Sequence, residues 1–309
     1  MSASIAVVGG TGLLGWQIAS ALRISGRTSP RVISRRRPAW LPPEIPHVVG
    51  DVTHGPDALA RSAQGCSAIV NAASYVGDDV DEQVAVNVEG AAAATEAAAL
   101  LGGVPLVHMS TAGVYGTLPF SGGDESSYET APESELSRSR ARGDAIAEDA
   151  GASLVRPLFV TGVGDTHFLL PLLRVHAALG AWIDDGRARL SVTSAEAVGL
   201  MVAGVVGRAL EHGRPALLHA VSSAPVSVRD LVGPLLSSVG VPVDRSVSLR
   251  EAVEFLQQRG IPERKVAQFA SDYFIRSTAC ADEASNRAAR MPPVAADAAA
   301  WYRARLADG

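Results

Sequence analysis

Cysteine is scarce: Cys66 and Cys280 lie far apart and outside any CxxC pair, which leaves no basis for a disulfide framework or a thiolate zinc site. Long apolar runs are missing too, and the N-terminus enters an apolar strand without the basic region, apolar helix and small-residue cleavage site of a secretory leader. Those absences suit a reducing cytoplasm and no membrane partner. Apart from Arg35-Arg36-Arg37 the basic residues are scattered, and the formal net charge is -5, which argues against a nucleic-acid surface or a polybasic anchor. What is present is 309 residues with 47% hydrophobic content, enough to bury a full core in one large domain or one domain with a smaller lobe. Small-molecule partners fit such a chain best.

From Ser4 to about Leu158, short apolar runs alternate with longer helix-like stretches, the pattern of βαβ units around a parallel sheet. The expected strands are Ile5–Val8, Arg31–Ser34, His47–Val49, Ala68–Asn71, Pro105–Met109 and Ser153–Leu158, and continuous apolar runs suit strands covered on both faces. Alanine-rich Leu13–Ile24, Val84–Leu101 and Arg140–Ala150 read as helices. Beyond Arg156-Pro157 the alternation weakens into shorter pieces, so the division falls near residue 157, with a strand over Ala216–Val221 rejoining the sheet. The fold class is therefore α/β: a Rossmann-type, doubly wound parallel sheet with a smaller C-terminal lobe.

At the end of the first strand the chain reads Gly9-Gly10-Thr11-Gly12-Leu13-Leu14-Gly15 and opens the first helix. Gly9 permits a tight turn, Gly12 admits a pyrophosphate to the backbone, and Gly15 lets the helix pack on the strand with its N-terminus aimed at the phosphates. An ordinary strand-to-helix turn is the bland alternative, but the flanking strand and βαβ pattern favour dinucleotide binding over 1–157. An acidic residue ending the second strand would hold the ribose 2′-hydroxyl of NAD. Here that place reads Ser34-Arg35-Arg36, and guanidinium groups suit a 2′-phosphate, so the expected cofactor is NADP(H). A solvated turn is the competing account of these arginines.

On these features the chain resembles the extended short-chain dehydrogenase/reductases. Gly50-Asp51-Val52 is similar to the family's adenine motif, implying that Asp51 and Val52 bind the base, and Asn71-Ala72-Ala73 to the motif beside the nicotinamide ribose. Asn87-Val88-Glu89-Gly90 resembles NVxG, whose Asn braces the central sheet. Ser110-Thr111-Ala112-Gly113-Val114-Tyr115-Gly116 resembles SSxxVYG, which implies a catalytic role for the second hydroxyl residue, Thr111; its neighbour Ser110 is a further catalytic candidate and Tyr115 a substrate-binding one. Arg156-Pro157 resembles the pair that opens the substrate lobe over 158–309, with Pro157 and Phe159 beside the cofactor. The family's YxxxK motif is altered: its Tyr slot holds Leu136 and its Lys slot Arg140, while Ser139 and Asp144 keep register, and no tyrosine lies between Tyr128 and Phe159.

The resemblance implies that the phenol normally gives the proton as hydride arrives, and that the lysine lowers its pKa while holding the ribose. Leucine cannot donate a proton. Arg140 can hold the ribose but stays protonated. Thr111, Ser110, Tyr75, Tyr128 and His108 are the protein groups that could substitute, though for the two tyrosines packing is the more natural role and for His108 the strand alternation points away. A substrate with a phenolic hydroxyl beside its ketone could also supply its own proton. Such a ligand needs a broad apolar pocket, and Tyr75, Tyr115, Phe159, His167, Phe168 and Trp182, with Leu169 and Leu172, are candidates that read equally well as lobe core.

Tyrosine-free reductases of this kind resemble the ketoreductases that tailor aromatic polyketides, including angucyclinone ketoreductases of the simocyclinone type, so an NADPH-dependent ketoreductase on an aromatic ketone in antibiotic biosynthesis is the leading expectation. A non-catalytic redox sensor and a nucleotide-sugar epimerase or dehydratase with a displaced acid are the alternatives.

Overall fold

The structure, a computed structural model, describes residues 2–116, 119–279 and 283–307; Cys280 lies outside the described residues. Its first half alternates β1 (Ala3–Val8), α1 (Leu13–Ile24), β2 (Thr28–Ser34), β3 (His47–Val49), α2 (Pro56–Ser62), β4 (Ala68–Asn71), α3 (Val80–Gln83), α4 (Gly90–Leu100) and β5 (Leu106–Met109). Then come β6 (Phe120–Ser121), α5 (Glu135–Asp149), β7 (Ser153–Arg156), β8 (Phe159–Thr161), α6 (Leu169–Leu179), β9 (Ala181–Ile183), β10 (Arg189–Leu190) and β11 (Val192–Ser194). The remainder is α7 (Ala195–His212), β12 (Leu217–His219), β13 (Val226–Ser227), α8 (Val228–Ser238), β14 (Arg245–Val247), α9 (Leu249–Gln257), α10 (Glu263–Gln268), β15 (Tyr273–Phe274), α11 (Glu283–Ala288) and α12 (Ala296–Ala307).

A seven-stranded parallel sheet runs in the order β12-β7-β5-β4-β1-β2-β3, the doubly wound arrangement. Its strands are buried on both faces: Ile5, Val7, Ile69 and Val70 have no exposed surface, which is why the runs are continuously apolar rather than alternating. Ile18 and Leu22 of α1 and Val198 and Val202 of α7 pack on one face; Leu59 of α2, Ala94 and Ala97 of α4 and Ala147 of α5 pack on the other. The chain winds outward from β1 to β3 and then returns to β4, so the carboxyl ends of β1 and β4 diverge and leave a crevice. Residues past 157 contribute β12 and α7 to these layers, while Leu172, Leu173, Leu231, Leu256 and Tyr302 form the core of the lobe.

Several boundaries differ from those read in the sequence, each for a local reason. Strand β7 stops at Arg156 because Pro157 has no N–H to give a ladder, and Phe159 opens β8, which pairs with β11 outside the main sheet. Helix α5 begins at Glu135 rather than Arg140, since Ser134 accepts from the Ser137 N–H while Ser137 returns a hydroxyl cap. The helix α2 was not anticipated: Gly55, at φ 84, turns the chain and Pro56 opens the helix. Among the described residues no helix is long and apolar enough to cross a membrane.

Candidate active site

Three of the four glycines after β1 have separate duties. Gly9 adopts φ +72, and a Cβ there would lie 2.7 Å from the Ala73 nitrogen, so both conformation and crowding demand glycine. A Cβ on Gly15 would stand 2.2 Å from the Gly9 carbonyl oxygen, because α1 presses on the turn. Gly12 is different: its Cβ would meet only that oxygen, at 3.4 Å, and its open side is the crevice. No side chain caps α1 and no acid sits in its first turn, so its first N–H groups keep their positive potential for whatever enters. Leu13 instead packs its side chain on Gly162, and Leu14 is half-buried beside it.

The crevice holds about 1040 Å³ and runs past Thr11 and Gly12, the segment Ser34 to Arg37, Asp51 and Val52, and Ala72 to Tyr75. The turn, the second-strand end and both alanines therefore do meet in one cleft. Arg35 and Arg36 are exposed on its wall, with no hydrogen-bond or ion-pair partner for either guanidinium among the described residues. Ser34 is already committed: its hydroxyl donates to the Arg36 carbonyl at 2.9 Å and so accepts from His47 Nε2 at 2.9 Å. Asp51 accepts from the Thr53 N–H and hydroxyl, each at 3.0 Å, while Val52 turns its side chain into the core against Gly90.

Beyond Ser74, which lines the crevice, α5 carries Leu136 and Arg140 one turn apart. Arg140 donates to the Met109 carbonyl at 2.8 Å and to the Ser74 hydroxyl, which fixes its guanidinium at the ends of β4 and β5. Burial pulls its pKa down, and the Asp144 carboxylate opposes that pull. Residues 84–89 form a π-helical turn before α4, and from it Asn87 accepts from the Tyr75 N–H and donates to the Tyr75 carbonyl, both at 2.9 Å, and to Ser139 at 3.1 Å. Asn87 thus ties the loop after β4 to α5. Thr111 uses its hydroxyl to accept from the Gly113 N–H at 3.1 Å, and Tyr75 lies along the crevice.

Ser110, a candidate for orienting a substrate oxygen, is committed elsewhere. Its buried hydroxyl donates to Asp144 Oδ2 at 2.6 Å, and the same oxygen takes Arg156 Nε at 3.1 Å and Nη2 at 2.9 Å. Arg156 Nη1 donates to the Tyr115 hydroxyl at 3.0 Å, Tyr115 donates to His219 Nε2 at 2.7 Å, and His219 Nδ1 donates to the Arg276 carbonyl at 2.8 Å. Burial raises the Tyr115 pKa and lowers that of His219, which keeps this tautomer chain neutral beyond the ion pair. Tyr115 is therefore a buried strut rather than a wall of the crevice.

His108 is buried too, accepting from Asn71 at 3.3 Å, with Nε2 3.7 Å from Asp144 Oδ1, too far for a hydrogen bond. Burial holds its pKa down at about 4 against the usual 6.5, the Asp144 charge offsetting only part of that. A histidine kept neutral by the fold stabilises it fully above the unfolded pKa, and that contribution is lost as pH falls from 6.5 towards 4. By pH ~5 the loss is about 2 kcal/mol. Denaturant melts across this window should show a shallower pH dependence in His108→Gln than in the unmutated protein; parallel profiles would contradict the assignment.

The lobe aromatics offered as a ligand pocket are mostly core. Phe159 stacks on Phe168 with centroids 4.5 Å apart, and Trp182 donates its indole N–H to the Val243 carbonyl at 2.9 Å; all three are under a tenth exposed. His167 is exposed, its backbone N–H held by Asp165, and Pro157 gives its carbonyl to the Ala112 N–H at 2.8 Å. Tyr128 accepts from the Gly123 N–H at 2.8 Å and packs on Tyr115. Sequence reasoning missed Trp40 and Glu82 in the crevice and the Asp144–Arg156 pair. A buried strand-end arginine demands a carboxylate, which was the available signal for the pair.

Residues 5–170 match a family model described as the NAD dependent epimerase/dehydratase family. No curated protein matches the chain. Among solved structures, the UDP-Glc/GlcNAc 4-epimerase from Campylobacter jejuni is 13% identical, with 98% of this chain and 100% of that one covered at a TM-score of 0.70. A short-chain dehydrogenase/reductase superfamily protein from Agrobacterium tumefaciens with bound NAD is 20% identical, covering 99% and 98% at 0.65. The Bordetella bronchiseptica enzyme WbmH in complex with NAD+ is 18% identical, covering 88% and 97% at 0.65. At such identities the likeness is one of fold.

Proposed function

The chain belongs to the NAD dependent epimerase/dehydratase family, and from that premise we propose that its crevice binds a nicotinamide dinucleotide and that it acts on a carbonyl or carbinol carbon of a small molecule. The observation that carries this reading is Gly12, the one turn glycine the fold itself does not require, whose open side faces the crevice. The uncapped start of α1 would hold the pyrophosphate, Asp51 the adenosine, and Ala72 and Ala73 the backbone approach beside Arg140. A nicotinamide held there would supply hydride transfer to or from that carbon.

The chain's own groups define how the proton moves. Leu136 occupies the place where the resemblance has a phenol, and Ser110 already donates to Asp144, so neither can serve as acid. Thr111 can orient an oxygen but is a weak acid. Arg140 holds its proton and positions. The family match and the Campylobacter relative support a nucleotide sugar as substrate over an aromatic polyketide ketone, and the buried lobe aromatics withdraw one argument for the latter. Leu136 favours the second reading, net reduction of a ketone whose neighbouring phenol supplies the proton, because epimerisation needs reversible proton transfer.

The unpaired Arg35 and Arg36 support NADP(H) over NAD(H), although the Agrobacterium and Bordetella relatives carry NAD. Each lost charge-assisted phosphate contact costs about 1.5–3 kcal/mol. Arg35→Ala and Arg36→Ala should each weaken NADPH binding by about tenfold or more in calorimetry and leave NADH binding nearly unchanged. Equal affinity of the unmutated protein for both cofactors would overturn the preference.

A further inference from the structure

Trp40 sits in the segment after β2 and remains 53% exposed, although an indole is among the side chains with most to gain from burial. The segment beneath it is firmly held. Leu41 and Ile45 are buried, Arg37 donates to the carbonyls of Leu41, Pro42 and Ile45, and Arg23 pairs with Glu44 at 3.6 Å. Trp16 of α1 meets the Trp40 ring edge to face, with centroids 5.3 Å apart and planes at 72°. Trp40 is thus an oriented ring rather than a loose one, and it lines the same crevice as Arg35, Arg36 and Asp51.

Its position along the sheet says what it meets. Arg140 reaches the crevice through Ser74 and holds the Met109 carbonyl at the end of β5, whereas Trp40 follows β2, three strand spacings away, or about 14 Å. The reacting half of a dinucleotide belongs beside Arg140, which leaves the non-reacting base at Trp40. Resting on the reading that the crevice binds a dinucleotide, we propose that Trp40 is the stacking wall for the adenine base, while Arg35 and Arg36 beside it take the 2′-phosphate. The two contributions differ in kind. Stacking acts on every adenine ligand alike, whereas the guanidinium groups discriminate by the phosphate.

Adenosine 2′,5′-bisphosphate, NAD+ and NADP+ are the probes, read by tryptophan emission and by calorimetry, so that no turnover is required. The bisphosphate should quench the emission of the unmutated protein. Trp40→Phe should lose most of that quench and keep its affinity within about threefold, because a phenyl ring still stacks. Trp40→Ala should weaken all three probes about tenfold, with Arg35→Ala weakening only the two that carry a 2′-phosphate. Unchanged affinity in a folded Trp40→Ala overturns the inference, whatever the emission does. Failure of the unmutated protein to bind any of the three probes would remove the dinucleotide reading itself and the stacking wall with it.

Discussion

Gly12→Val should abolish dinucleotide binding in a protein that still folds. A Cβ there meets only the Gly9 carbonyl oxygen, at an ordinary 3.4 Å, so the branch point itself gives the turn, α1 and the sheet no reason to move. It would instead occupy the approach to the first N–H groups of α1. Losing two charge-assisted contacts costs roughly 3–6 kcal/mol, so the dissociation constant should rise by at least about a hundredfold. Gly15→Val is the contrasting change: its Cβ would strike the Gly9 oxygen at 2.2 Å, and the protein should lose stability together with binding. Calorimetric titration beside a thermal melt separates the two, and tight binding by a folded Gly12→Val would mean that the turn holds something else.

Asp144→Ala should be the most destabilising single change in the site. Arg156 is 5% exposed and donates twice to Asp144, and Ser110 donates to the same oxygen, so alanine would leave a buried guanidinium and a buried hydroxyl without their acceptor. Breaking a buried pair from one side costs about 3–5 kcal/mol. Equilibrium denaturation should show a loss of that size, and Asp144→Leu combined with Arg156→Met should recover much of it, because the orphaned charge goes as well. A loss below about 1 kcal/mol in Asp144→Ala would mean that water reaches Arg156 and that the network is not closed.

The parts legible in the sequence were those set by local pattern. α1 and the strands β3 and β4 have the boundaries expected from their apolar runs, and the glycine turn sits where its spacing places it. The start of α5 was hidden because its first turns are polar, and only the Ser134–Ser137 cap marks them. Apolar character in the lobe could be read, but not its direction. Whether Phe159 and Trp182 face a ligand or a core depends on Phe168 packing on one and on a Val243 carbonyl far along the chain meeting the other. The strut from Ser110 through Asp144, Arg156 and Tyr115 to His219 is equally nonlocal, joining β5, α5, β7 and β12.

The central claim is that this crevice brings a nicotinamide to a carbonyl or carbinol carbon, and the near-ultraviolet absorbance of the reduced nicotinamide tests it most directly. With protein shown by calorimetry to be loaded, the absorbance should fall steadily in the presence of NADPH and a hydroxyaryl ketone if the enzyme is a net reductase. With the oxidised dinucleotide and UDP-sugars it should rise and persist only in proportion to bound cofactor if the enzyme is an epimerase or dehydratase. Either trace supports hydride movement at this site and decides the substrate class. A flat trace from loaded protein across both substrate panels would contradict the account and leave a dinucleotide sensor in its place.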